Sequence, residues 1–206
     1  MKVFFMSNSD VYLSELIATR LSHDLIGNIG AISNAIELLN EGDEDDKDDI
    51  SNILNFSSKV LSKRLKFFRL CFGLSNASVK SLEELVTISA DYLSTLGNPN
   101  YPIEADFRIS TPKIYKLVMP AVMMMADTIV KGGKIAVTQT DDALLIQPSS
   151  PVALNNAKLT NISNILNGGK PEETPSSYAP LFYLLAYLNG SGVQIKLDGQ
   201  TLIIGA

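Results

Sequence analysis

The stretch LSHDLIGNIGAISNAIELLNEGDEDD, residues 21–46, decides how this chain folds. Its apolar residues Leu21, Leu25, Ile29, Ile32, Ile36 and Leu39 recur every three or four positions, the period of a helix with one buried stripe. The same period runs back through Ile17 and Leu16 to Leu13, which predicts one long amphipathic helix from about Ser9 to Glu41. Gly42 and the acidic run DEDDKDD break the pattern and supply a solvated turn and a negatively charged start for the next helix. That second helix reads through Ile50, Ile53, Leu54, Ser57, Leu61, Leu65, Phe68 and Phe72 and stops at Gly73. Two helices of about 30 and 25 residues joined by a short connection pack as an antiparallel hairpin.

A hairpin buries one stripe per helix, yet Ile26, Ile29, Phe67, Leu70 and Phe72 widen the apolar faces beyond that. The surplus either docks onto the rest of the chain or pairs two hairpins as a four-helix bundle in a homodimer.

Beyond Ser75 the elements alternate. SLEELVTISADYLSTL has helical spacing, with Ser81 and Glu84 set as a capping box. YPIEADFRIS reads as a strand, TPKIYKLVMPAVMMMADTIV as a helix, and KIAVTQTDDALLIQPS as two strands around Asp141-Asp142. NNAKLTNISNIL and SYAPLFYLLAYLNG read as helices, GGKPEETPSS as the loop before the second of them, and VQIKLDGQTLIIGA as a hairpin turning at Asp198-Gly199. The fold class is therefore α+β: a helical hairpin over residues 1–75, then an α/β sandwich over residues 76–206 with helices on one face of a mixed sheet.

Composition narrows the function. The 206 residues are 46% hydrophobic, enough for a substantial core, and the net charge of −5 gives no footprint for direct nucleic-acid binding. One cysteine, Cys71, excludes an internal disulfide framework and fits a reducing compartment. The opening MKVFFMSNSD has too short an apolar run for a secretion signal, and no segment reads as a membrane span, so a cytoplasmic location is expected. With one histidine and one cysteine, a zinc site or a His/Cys catalytic pair is a poor candidate.

The order of elements is similar to the dimerisation and ATP-binding domains of sensor histidine kinases, and SHDLIGNIGAI resembles their H-box, a histidine followed by an acidic residue on the first hairpin helix. SHDLIGNIGAISNAIELL together with RLKFFRLCFG resembles the alphaproteobacterial histidine phosphotransferases of the ChpT type, with a matching layout over nearly the whole chain. Family members often have Pro where Asn28 stands. The kinase nucleotide boxes are missing. Ala121 and Met125 occupy the positions of two Mg²⁺-holding asparagines, although Gly132-Gly133 survive, and a thioether does not hold a hard cation. LLIQPSSPVAL lacks the Asp and glycines of the second box, and SSYAPLFYLL places Tyr178 and Pro180 where the third would offer backbone amides to phosphate. An ATP site is not expected.

What the resemblance implies is a dimeric phosphorelay intermediate. His23 takes a phosphoryl group from the Asp of a receiver domain on a hybrid histidine kinase and hands it to response regulators of the CtrA and CpdR type. Any Mg²⁺ belongs to the receiver's acidic pocket, so the chain carries no cofactor. The residues themselves agree. Neutral imidazole is a good nucleophile near pH 7, and His23 lies off the Leu21/Leu25 stripe. Asp24 is either the partner that fixes the ring tautomer or a merely solvated helix residue, since neighbours in sequence do not share a helix face.

Gly27 and Gly30 each cost about 1 kcal/mol relative to Ala in a helix. Close packing between helices explains that cost, and so does a low surface that admits a partner's phosphoaspartate loop; the two are compatible. A turn centred near residue 44 or 45 sets His23 level with about residue 66 and brings Lys63, Lys66 and Arg69 within about two helical turns. They are candidate phosphoryl or receiver contacts, or else a basic face that promotes solubility. Competing functions are a non-catalytic dimeric adaptor that binds receivers or kinases, and an ATP-dependent kinase with a divergent nucleotide site.

Overall fold

The computed structural model describes residues 8–41, 47–73, 79–172 and 174–205. Helices α1 (Asn8–Glu41) and α2 (Lys47–Phe72) pair as the expected hairpin. The acidic turn and the expected boundary at Ser75 lie outside the described residues. The chain continues through α3 (Leu82–Leu93), β1 (Ile103–Arg108), α4 (Tyr115–Ala126), β2 (Gly133–Gln139), β3 (Ala143–Ser149), α5 (Asn156–Leu166), α6 (Ala179–Leu188), β4 (Gln194–Asp198) and β5 (Thr201–Gly205). This is the α+β order read from the sequence, with short 3₁₀ turns at Pro112–Ile114 and Pro175–Tyr178 leading into α4 and α6.

The five strands run in the order β1-β2-β3-β5-β4, with β1 and β2 parallel and the other pairs antiparallel. Register puts the apolar residues on one face: Ile135 opposite Pro148, Val137 opposite Ile146, Ile146 opposite Leu202 and Leu144 opposite Ile204. Lys134, Gln147 and Lys196 alternate onto the exposed side. Helix α4 packs on β2 and β3. Its Met119, Ala121, Val122, Met123, Met124 and Met125 are all buried, the pattern of a helix enclosed on every side. Gly133 begins β2, where a side chain would collide with the Ser149 carbonyl oxygen.

Capping at α3 departs slightly from the expected box. The Ser81 hydroxyl accepts from the Glu84 N–H at 3.1 Å, but the Glu84 carboxylate takes the Lys80 N–H at 2.8 Å rather than that of Ser81.

The helix read over TPKIYKLVMPAVMMMADTIV is shorter than expected at both ends. It stops at Ala126 because the Thr128 hydroxyl and N–H both bond back to the Met125 carbonyl, at 2.7 and 3.1 Å. Asp127, the C-cap of that helix, reaches Arg20 of α1.

The root of the hairpin belongs to the sandwich core. Phe67, Phe68, Leu70 and Cys71 of α2 join the same buried cluster as the sheet and α4. Phe67 stacks on Tyr92 of α3 with ring centroids 4.0 Å apart and planes at 14°, and Phe68 meets Tyr92 edge-on at 5.9 Å. Lys116 of α4 caps the end of α2, its ammonium donating to the carbonyls of Leu70 (3.2 Å) and Gly73 (2.7 Å). The surplus apolar surface of α2 therefore docks within the chain at the root. Farther along the hairpin, Ile26, Ile29, Ile36, Ile53, Phe56 and Leu65 remain exposed.

Candidate functional site

His23 projects from α1 with 85% of its side chain exposed, while the groups behind it are nearly enclosed: Asp24 is 13% exposed and Arg20 10%. The spacing Arg20 to Asp24 is one helical turn, so the guanidinium Nε reaches the Asp24 Oδ2 at 2.8 Å. Both terminal nitrogens of Arg20 then fork onto Asp127, at 2.6 and 3.0 Å, and one also donates to the Ser177 carbonyl at 3.2 Å. One side chain thus ties the histidine helix to the end of α4 and to the 3₁₀ turn before α6.

On the other side, Arg64 of α2 donates from Nη1 to the Asp24 carbonyl oxygen, and from Nε and Nη2 to the Thr95 hydroxyl and carbonyl, each at 3.0 Å. Burial alone would make the Arg20 guanidinium easier to deprotonate. The charge and hydrogen bond of Asp127, with Tyr92 and Asp24 adding to them, more than offset this and hold its pKa above the ordinary arginine value. The Tyr92 phenol lies close enough to feel the same four charges; burial first, then Asp127, push its pKa up. Its hydroxyl has no hydrogen-bond partner among the described residues.

Asp24 is therefore not a solvated surface residue. Its Oδ1 stands 3.5 Å from His23 Nδ1, a contact at the outer limit of a hydrogen bond, while Oδ2 is committed to Arg20. The stronger half of the Asp24 bonding thus faces inward.

Gly27 and Gly30 lie on the accessible part of α1, and a Cβ built at either meets nothing within 4 Å. Close packing within the chain does not explain them.

The expected cations are arranged differently from the sequence reading. Arg64, not Lys66, is level with residue 24, and successive residues turn about 100° around a helix. Lys63 is directed to α3, pairing with Asp91 at 3.0 Å and donating to Ser94 at 3.1 Å. Lys66 and Arg69 are exposed on α2, and neither they nor Lys63 line the space beside His23. That space is a cleft of about 300 Å³ formed by His23, Arg20, Asp24, Asp127, Lys158, Thr174, Ser176 and Ser177. Its cations are Arg20 and Lys158. The Lys158 ammonium, on the first turn of α5, stands 3.8 Å from Asp127 and 5.2 Å from the Tyr178 ring centroid.

At the positions of the missing nucleotide boxes, Ala121 and Met125 are buried in the core, and Tyr178 and Ala179 are likewise fully buried. Among the described residues no helix is long and apolar enough to cross a membrane, and no three His, Cys, Asp or Glu side chains gather as a metal site.

No family model matches the chain. It is 26% identical over 204 residues to the protein phosphotransferase ChpT of Brucella abortus (strain 2308), covering 94% of this chain and 94% of that protein. A solved structure of a bacterial phosphotransferase has the same fold, with a TM-score of 0.70 and 22% identity, covering 98% of this chain and 97% of that one. In sequence over nearly its whole length the chain is similar to a ChpT protein phosphotransferase, and it shares the fold of the bacterial phosphotransferase.

Proposed function

We propose that this chain is a phosphorelay histidine phosphotransferase, in which His23 accepts a phosphoryl group from a receiver-domain aspartate and passes it to the aspartate of a response regulator. The observation that carries this reading is the contrast at one turn of α1: an imidazole 85% exposed, backed by a carboxylate 13% exposed and locked by Arg20. With the proton on Nδ1, facing Asp24, Nε2 is the free nucleophile. It attacks the phosphorus of the incoming acyl phosphate; the N–P bond forms as the P–O bond to the donor aspartate breaks, and the donor leaves as a carboxylate. The ring becomes a cation, which the Asp24 carboxylate stabilises through Nδ1–H. The second transfer runs the same steps in reverse toward a new aspartate, leaving His23 neutral. Mg²⁺ belongs to the receiver's acidic pocket in this scheme.

Two finer features belong to the same proposal. The exposed row Ile26, Ile29, Ile36, Ile53, Phe56 and Leu65 suits pairing of two hairpins in a homodimeric four-helix bundle. The phosphoryl source is a receiver rather than ATP, in keeping with the apolar side chains that fill the nucleotide-box positions. The hairpin, residues 1–75, is the transfer domain, and residues 76–206 form a degenerate ATPase-like body.

The test is to mix a phosphorylated receiver with wild type and with His23→Ala and follow acid-labile phosphate. Transfer to wild type alone is expected, with no label from radioactive ATP by itself. Equal label on both proteins overturns the assignment of His23; receiver binding without any transfer favours a non-catalytic adaptor.

A further inference from the structure

The cleft beside His23 contains more polar groups than the hairpin needs. Arg20 has its donors committed to Asp24, Asp127 and the Ser177 carbonyl, so it is a structural cation. Lys158 is different. Its side chain is 12% exposed, yet its closest ionic partner, an Asp127 oxygen that Arg20 already holds at 2.6 Å, is 3.8 Å away. An ammonium has three donors and a flexible stem, so most of its bonding capacity is unused. Around the same cleft stand the hydroxyls of Thr174, Ser176 and Ser177, and Ser176 is 8% exposed. Three hydroxyls beside an ammonium whose nearest carboxylate oxygen is 3.8 Å away form a site for an anionic oxygen cluster.

We infer that this cleft is a holding site for the phosphoryl group once it is on His23: Lys158 and the Ser176 and Ser177 hydroxyls bind its oxygens, so that the body of the protein takes part in storing the phosphate. This rests on the transfer reading above. No bond to phosphorus is made or broken in the holding step; His23 keeps the N–P bond while the side chains supply hydrogen bonds. The charged groups facing the phosphoryl are Lys158, Arg20, Asp24 and Asp127, of which the last three already satisfy one another. Lys158 is thus the cation left to answer the added negative charge.

The test uses the full chain, charged from a phosphorylated receiver that is then removed. The ³¹P resonance of phospho-His23 is titrated with pH, and in a separate mixture the equilibrium share of phosphate on His23 against the receiver is measured. Lys158→Met is expected to move the phosphoryl titration upward and to lower the His23 share about tenfold, the scale of one lost charge-assisted hydrogen bond. Lys158→Arg is expected to restore most of both. Ser177→Ala, which leaves the backbone bond to Arg20 intact, is expected to lower the share about threefold without disturbing the fold. Wild-type titration and share in both Lys158→Met and Ser177→Ala overturn the holding site while leaving the transfer reading standing. No label on wild-type His23 overturns the transfer reading and this site with it.

Discussion

Arg20→Ala removes the side chain that joins α1 to the body, and the structure sets the size of the effect. The variant strands two carboxylates, each 13% exposed: Asp24 keeps the 3.5 Å contact to His23, and Asp127 the 3.8 Å contact to Lys158. Exposed ion pairs contribute about 0–1 kcal/mol, whereas breaking one whose partners are buried costs about 3–5 kcal/mol because a charge is left uncompensated. The enclosure of all three side chains puts this case near the second figure. Taking about 4 kcal/mol with a urea slope of about 2.5 kcal/mol/M, the unfolding midpoint falls by about 1.6 M. A cycle with Arg20→Met, Asp127→Leu and the double variant separates the pair from its surroundings. The double variant should recover much of the stability lost by Arg20→Met, since Asp127 is no longer stranded, yet transfer to His23 stays low because Asp24 has lost its anchor. A loss below about 1 kcal/mol for Arg20→Ala would refute the reasoning, since it would make the clamp an exposed, solvent-screened pair.

Gly27→Ala and Gly30→Ala should each raise stability by up to about 1 kcal/mol, because the added methyl meets open space, while slowing transfer from a receiver. Urea midpoints and transfer rates read the two effects, and faster or unchanged transfer in both variants counts against a role in partner approach. Phe56→Glu combined with Ile29→Glu should convert a dimer to a monomer in light scattering, since both residues lie on the exposed apolar row. A wild type that is already monomeric sinks the bundle.

Above about pH 9 stability should fall as the pH rises. Burial, opposed in part by Lys116, holds the Cys71 thiol above its ordinary 9.0. Burial first, then Cys71 and Tyr187, push Tyr183 from 10.0 up to about 12. The unfolded chain releases these protons first and so binds fewer, which makes stability decline with rising pH across that window. Lys116, which burial holds below its ordinary 10.5, offsets part of the decline. Cys71→Val should flatten the portion between about pH 9 and 10 in a series of urea midpoints, and an unchanged profile contradicts the assignment.

The hairpin was legible because its two helices carry the 3.6-residue period over long runs, and the sheet because its strands alternate and turn at Asp-Asp and Asp-Gly. His23 was legible for a simpler reason, being the one histidine in the chain, followed by an acid. The groups that surround it were harder to read. Arg20 and Asp24 carry a local signal, the one-turn spacing, whose weight shows only when Asp127, 107 residues from Arg20, closes the fork. Asp127 itself sits inside a run that reads as helix, and the Thr128 hydroxyl that ends α4 before it is a subtle sign. Lys158 has no local signal at all, because only the packing of α5 brings it to the cleft. The basic residues Lys63, Lys66 and Arg69 on α2 do not line the cleft beside His23. Arg64, not Lys66, is level with the histidine turn, and two residues on a helix are more than half a revolution.

The stacking of Phe67 on Tyr92 has a mechanical consequence. In the reading proposed above the phosphoryl group arrives on another molecule, so no internal donor has to be carried to His23. Fusing the hairpin root into the sandwich core fixes the angle between helix face and body once, during folding, instead of at every encounter. On that reading a visiting protein meets a corner with two walls, one helical and one from the body. Shape is read from both at once, and altering the preference for a visitor means recutting both walls together.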